Sequence, residues 1–233
     1  MRLFVGTSGY SYKEWKGGFY PEKHPQKEML SYYAQQFSSV EINNSFYRMP
    51  ETSILKAWAK QVPQGFRFAL KAPQTITHFK RLKDVKKETA ALLRAAAALK
   101  ACRGPLLVQL PANFKKDLPR LESFLRLIRG RIPIAFEFRH ESWFDDEVSG
   151  CLRENSCALC AADTDDSRSA ELVGTTDWGY LRLRREGYTS AALRKWIKRI
   201  RSQSWNEVYV FFKHEDSGTG PRLAARFLEL AKC

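Results

Sequence analysis

The chain has 233 residues, 44% of them hydrophobic and 13% aromatic, and its Lys and Arg exceed its Asp and Glu by 39 − 25 = 14. That length holds one α/β barrel or two small domains, and the composition excludes a disordered chain. The positive surplus attracts anions and serves phosphate binding, nucleic-acid binding or plain solubility, so it does not separate these classes.

The first residues, "MRLFVGTSGYSY", lack the apolar core of a signal peptide, and no window approaches the ~20 apolar residues of a membrane span. The expected compartment is the cytoplasm, with no membrane contact. Cys102, Cys151, Cys157, Cys160 and Cys233 accordingly read as reduced thiols. Cys157 and Cys160 have C-x-x-C spacing, but "CALCAAD" looks like a strand start that puts the sulfurs on opposite faces. Buried spectator thiols are the expectation.

In chain order, eight apolar runs read as strands: residues 2–9, 39–46, 66–73, 105–112, 133–140, 157–163, 179–185 and 207–214. Between them, residues 26–38, 51–61, 84–101, 117–129, 145–154, 190–202 and 219–232 carry apolar residues at three- and four-residue spacing. Glu51, Asp117 and Asp145-Asp146 mark helix starts, and Gly104-Pro105 stops the Ala-rich helix before it. The stretch 164–178 has little helical pattern and is expected to be a loop or broken helix. Alternating strands and helices demand parallel strands with crossovers. The expected fold is α/β: a single compact (β/α)8 TIM-type barrel over residues 1–233, one domain, with one irregular βα unit. A doubly wound open sheet is the alternative, although "GTSGYSY" lacks the dinucleotide-binding glycine pattern.

A barrel keeps its chemistry at the carboxyl ends of its strands. In "VEINNSFYR" (40–48), Glu41 and Asn43 share one face while Val40 and Ile42 share the other, so the polar pair turns inward and the apolar pair meets helices. In "AFEFRH" (135–140), Glu137 and Arg139 turn inward by the same logic. The other ends add Ser8 and Tyr10, Lys71, Gln109, His140, Asp163, Arg182 with Arg184, and Lys213, His214 and Glu215. Interior ion pairs that merely hold the barrel closed are the bland alternative. Desolvation makes such pairs a costly route to stability, so a site is favoured.

"VGTSGYSYKEWKGGFYP", "VEINNSFYRMP", "LVQLPANF", "FEFRHESW" and "VYVFFKHEDSGTGP" resemble the YecE-like family, domain of unknown function 72. The resemblance spans Val5 to the last helix and implies a TIM-type barrel, but no reaction. Family members often have an Asn-Asn pair where this chain has Lys213-His214, and a His where it has Arg184.

The acids and cations suggest general acid–base work on an anionic group by a hydrolase or lyase. Glu41, Glu137, Asp163 and His140 are the catalytic candidates. Arg139 and Arg182 are expected to clamp the anion bidentately, with Lys71 and Lys213 adding charge. Tyr10, Asn43, Arg48, Gln109 and His214 complete the polar wall. Trp15 and Trp143 are the rings expected to touch substrate, against the alternative of apolar packing under long loops. A divalent metal held among Glu41, His78, Glu137, His140, Asp163 and His214 is possible but not favoured, since the interleaved Lys and Arg repel a cation. No G-x-S-x-G elbow supports a nucleophilic serine. A phosphorylated or otherwise anionic small substrate is the leading reading. A nucleic-acid-binding or phosphodiester-cleaving barrel of the endonuclease-four type comes second, using basic helices at 79–87 and 194–203. A non-catalytic binding barrel is third.

Overall fold

The computed structural model describes residues 1–164, 171–214 and 218–232, and every expected apolar run contains a strand. They are β1 Arg2–Thr7, β2 Ser39–Ile42, β3 Arg67–Lys71, β4 Arg103–Gln109, β5 Ile134–Glu137, β8 Trp178–Leu183 and β9 Glu207–Phe212, while the sixth run is split at Cys160 into β6 Ala158–Leu159 and β7 Ala161–Asp163. The helices are α1 Met29–Gln36, α2 Asn44–Tyr47, α3 Thr52–Lys60, α4 Lys86–Ala97, α5 Leu118–Ile128, α6 Asp146–Glu154, α7 Ser190–Arg201 and α8 Thr219–Lys232. Two of the expected start signals act through their side chains: Asp117 accepts from the Arg120 amide at 3.1 Å, and Asp145 from the Val148 amide at 2.9 Å. Each satisfies one of the amides that a first helical turn leaves unpaired.

All strand pairs are parallel, and they group into two sheets rather than one: β1-β9-β8-β7 with four strands and β2-β3-β4-β5-β6 with five. The sheets meet in two places. Ser8 bridges Glu41, with the Gly9 amide on the Glu41 carbonyl at 2.8 Å. On the other side, the Cys160 amide still bonds to Phe136 of β5 at 2.8 Å, while the next residue pairs with Leu181 of β8. Gly6 permits the first approach, because a Cβ there would lie 1.9 Å from the Ser39 carbonyl oxygen.

Strand alternation sorts the core into two clusters. The smaller holds Ala69, Leu107, Ala135 and Ala158 from one sheet and Phe4, Trp178, Tyr180, Tyr209 and Phe211 from the other, together with Cys160. The three alanines on the five-stranded sheet thus leave room for the rings of the four-stranded one. The opposite faces, among them Val40, Ile42, Val208 and Val210, pack in a larger cluster with helical residues such as Leu30, Leu193 and Phe227. Cys157 lies in the larger cluster and Cys160 in the smaller, on opposite faces as expected. Burial pushes the Cys157 thiol up to about 12 and the Cys160 thiol well above its usual range. Cys233 lies outside the described residues.

One expectation needs adjustment, and two others hold where the residues are described. The basic segment 79–87 is not one helix: Arg81, Leu82 and Asp84 have positive φ (46°, 67° and 51°), and α4 starts only at Lys86. The sixth connection is described at residue 164 and at 171–177, which contain no helix, while 165–170 lie outside the described residues. The basic face of α7 is a true helix, with the Arg199 guanidinium 4.3 Å from the Trp196 ring centroid and Arg201 donating to the Ala231 carbonyl. Among the described residues, no helix is long and apolar enough to cross a membrane.

Candidate functional site

Glu41 leaves β2 into the space between the sheets and meets Arg182 of β8, a residue 141 positions away. Arg182 is 1% exposed, Glu41 0% and Glu137 1%, so all three charges are out of water. One guanidinium spans both carboxylates: Nη2 lies 2.9 Å from Glu41 Oε1, and Nη1 2.5 Å from Glu137 Oε2. Glu41 also accepts from Ser8 Oγ at 2.6 Å and Tyr180 OH at 2.7 Å. Glu137 also accepts from Gln109 Nε2 at 2.6 Å and Arg139 Nε at 3.2 Å. Each carboxylate therefore has three donors, which is how a buried charge escapes most of its desolvation cost. Burial pushes the Glu137 carboxyl up, but Arg182 and Arg139 outweigh it and bring it down to about 2. An acid held that low is a weak base near neutral pH. Arg182, expected to clamp a ligand, has both terminal nitrogens committed to protein carboxylates.

A second group of charges differs in kind. Lys71 ends β3 with its ammonium 4.0 Å from the Phe46 ring centroid and no carboxylate in ion-pair contact among the described residues. Burial and the charge of Arg182 lower its pKa to about 8; Lys213 acts in the same direction, and Glu41 and Glu137 oppose. Arg184, two residues past Arg182, is also half-buried and makes no side-chain hydrogen bond or ion pair among the described residues. Its pKa too is lowered by burial and by Arg182; Arg139 acts in the same direction, and Glu137 and Glu41 oppose. The side chain of Arg139 is 41% exposed, so it reaches from Glu137 toward solvent. Asn43, one residue past β2, has both amide atoms buried without a hydrogen-bond partner among the described residues. His78 follows β3 in a single π-turn, Thr75–Phe79, a backbone irregularity with no periodic signal in sequence. Its pKa is lowered by burial, Lys71 and Arg139.

Other expected site residues lie elsewhere. Asp163 turns outward to α7, accepting from Tyr188 OH at 2.7 Å and Trp196 Nε1 at 3.2 Å. With Cys160 facing inward, Asp163 is three residues on and must face out, so strand parity carried this signal. His140 caps the short helix Glu141–Trp143, its Nδ1 accepting from the Ser142 amide at 3.1 Å. His214 Nε2 lies 3.0 Å from the Arg185 carbonyl. Trp15 and Trp143 are core residues: Trp15 packs among Tyr12, Phe19 and Tyr20, and Trp143 stacks on Phe138 and donates to the Phe114 carbonyl at 2.7 Å. The apolar-packing alternative holds for both rings. Tyr10 packs on Tyr33 and Trp58, its phenol pushed up to about 12 by burial. Arg48 lines a groove of about 540 Å³ with Asn44, Tyr47, Met49 and Trp58, beside the charge cluster rather than in it. Lys213 is half-buried past β9, and Glu215 lies outside the described residues. Among the described residues, no three His, Cys, Asp or Glu side chains gather into a group able to hold a metal ion.

A comparison with protein families matches residues 4–233 to the one described as "Protein of unknown function DUF72". The UPF0759 protein YecE of Escherichia coli (strain K12) is 33% identical over 144 residues, covering 61% of this chain and 50% of YecE. The UPF0759 protein YunF of Bacillus subtilis (strain 168) is 29% identical over 150 residues, covering 61% of this chain and 52% of YunF. The chain spans about half the length of the curated relatives it matches. Among solved structures, a DUF72 family protein from Thermotoga maritima superposes with a TM-score of 0.85 at 26% identity, covering 100% of both chains. Another from Enterococcus faecalis has a TM-score of 0.81 at 19% identity, covering 99% of this chain and 96% of that one, a likeness of fold.

Proposed function

The chain belongs to the DUF72 family, and from the geometry of its own residues we propose that it is an enzyme holding a phosphorylated or otherwise anionic small molecule at the carboxyl ends of its strands. In this reading the two sheets close into one eight-stranded barrel and one domain, joined at Ser8–Glu41 and across Cys160. Glu41, Glu137 and Arg182 form its fixed floor. Lys71, Arg139, Arg184 and Asn43 receive the substrate, and Tyr47, Phe79 and Phe144, exposed in the connections that follow β2, β3 and β5, offer apolar surface to its carbon skeleton.

One observation carries the reading: Lys71 and Arg184 are half-buried, repelled by neighbouring cations, and have no carboxylate in ion-pair contact among the described residues. Concentrating like charge in a partly dry place is unfavourable unless an anion joins it. Guanidinium groups match the two oxygens of a carboxylate or phosphate. The nucleic-acid reading rests on net charge and on α7, whose Arg199 and Arg201 already have partners within the chain.

Thermal shift tests this with inorganic phosphate, sugar phosphates, oxo acids, nucleotides and short oligonucleotides at low and high salt. A ligand specific for the folded state stabilises by about 2.7 kcal/mol at 100 times its Kd. A small anion should give a salt-tolerant shift that Arg184→Gln and Arg139→Gln both reduce. Failure of every small anion to shift the melting temperature would end the proposal. A steeply salt-dependent shift shared by oligonucleotides would transfer it to nucleic acid.

A further inference from the structure

We infer that Lys71 is the nucleophile of this site, its amine forming an imine with the carbonyl carbon of a small anionic aldehyde or oxo acid, while His78 carries the proton. The inference rests on the anion-binding reading above, which supplies the substrate's charge and its holders, Arg139 and Arg184.

The main chain at Lys71 is held from both sides. Its amide donates to Ser45 Oγ at 3.1 Å, and the Ser45 hydroxyl lies 2.7 Å from its carbonyl oxygen. The side chain then runs over the next residue of α2, with Nζ 4.0 Å from the Phe46 centroid. The His78 ring meets the same Phe46 ring at 4.9 Å and 84°, so the amine and the imidazole share one apolar support. His78 Nδ1 is 2.8 Å from Thr77 Oγ1, which leaves Nε2 to exchange a proton.

A lysine becomes a nucleophile when burial and a neighbouring cation leave a useful fraction of its amine neutral. Lys71 meets both conditions: burial and Arg182 lower its pKa to about 8. Lys116 goes the other way, raised by its contacts with Asp145 and Glu147. His78 is lowered by burial, then Lys71 and Arg139, so it is a neutral base near pH 7. Phe46 opposes part of the Lys71 shift, since a ring face favours the ammonium.

The step balances without any further reactant. The neutral amine adds to the carbonyl carbon, forming a C–N bond as the C–O π bond opens and one of the amine's own protons passes to the oxygen. A proton taken from solvent and relayed through His78 then lets that oxygen leave as water. The protonated imine then draws electrons from the adjacent carbon, which suits proton abstraction or carbon–carbon cleavage next to the former carbonyl.

The test uses two probes, glyoxylate and pyridoxal 5′-phosphate, each followed by borohydride reduction and peptide mass mapping of the whole chain. The expected result is a saturable adduct on Lys71, absent in Lys71→Met and slowed about tenfold by saturating inorganic phosphate. Lys71→Met should keep a cooperative melting transition at or above that of the unaltered chain, which shows that the variant is folded, while binding phosphate more weakly. His78→Asn should slow adduct formation near pH 7 but leave the adduct on Lys71. If phosphate binds but neither probe modifies Lys71 ahead of surface lysines, the nucleophile is overturned and the anion site stands. An adduct on Lys71 that phosphate never slows would keep the nucleophile and remove the anion site. Neither adduct nor phosphate binding would overturn both.

Discussion

Glu41 and Lys71 end neighbouring strands, β2 and β3, yet their charges live under opposite conditions. Glu41 takes three donors, and Arg182 links it to Glu137, which takes three more. Lys71 and Arg184 have no carboxylate in ion-pair contact among the described residues, and burial with the charge of Arg182 outweighs the more distant pull of Glu41 and Glu137. The floor is a network in which every carboxylate is satisfied, so removing any charge from it leaves another one stranded. In the upper group a charge is already stranded, so removing one relieves repulsion. A stabilising network and the proposed anion site can therefore use the same residue types on adjacent strands. What separates them is the sign of the response when one charge is deleted.

Arg182→Met should give the largest effect, leaving two buried carboxylates and lowering unfolding free energy by roughly 3–5 kcal/mol in urea titration. A loss below about 1 kcal/mol would remove the distinction between floor and mouth. Acid comes next. The folded Glu137 pKa of about 2 lies below its ordinary 4.5, so its stabilisation is complete above 4.5 and lost as pH falls through about 2. The ceiling is roughly 3 kcal/mol, and Glu137→Gln should flatten this acid limb.

For Lys71 the sign reverses. Its folded pKa of about 8 lies below the ordinary 10.5, so the unfolded chain holds more proton between those values and stability should rise with pH across that window. Lys71→Met should abolish the rise and stabilise the protein by about 1–2 kcal/mol at pH 7, within a ceiling of roughly 3. A destabilised Lys71→Met would place this lysine with the floor instead. The smallest stability change belongs to Arg184→Gln, within about 0.5 kcal/mol by denaturation. The same substitution should weaken binding of a small anion about tenfold, near 1.4 kcal/mol by calorimetry.

Much of the fold was legible because each strand and helix announces itself through its own period. The floor was half legible: parity along "VEIN" and "AFEFRH" turned Glu41, Glu137 and Arg139 inward, and Tyr180 shares parity with Arg182. Parity applied from Cys160 would also have turned Asp163 outward. The rings misled because Trp15 and Trp143 occur in loops rich in aromatics, and composition does not distinguish a lid over substrate from a core under a loop.

The sequence by itself determined the strand–helix alternation, the inward polar face and the separation of Cys157 from Cys160, all of which follow from nearest neighbours and local geometry. Tertiary structure alone decided that Arg182 belongs to Glu41 and Glu137, that Lys71 has no carboxylate in ion-pair contact among the described residues, and that His78 shares its phenylalanine. Those are contacts between elements up to 141 residues apart, as for Glu41 and Arg182. Charge energetics depends on who the neighbour is and how much water remains, and neither quantity is written in the spacing of residues along a chain.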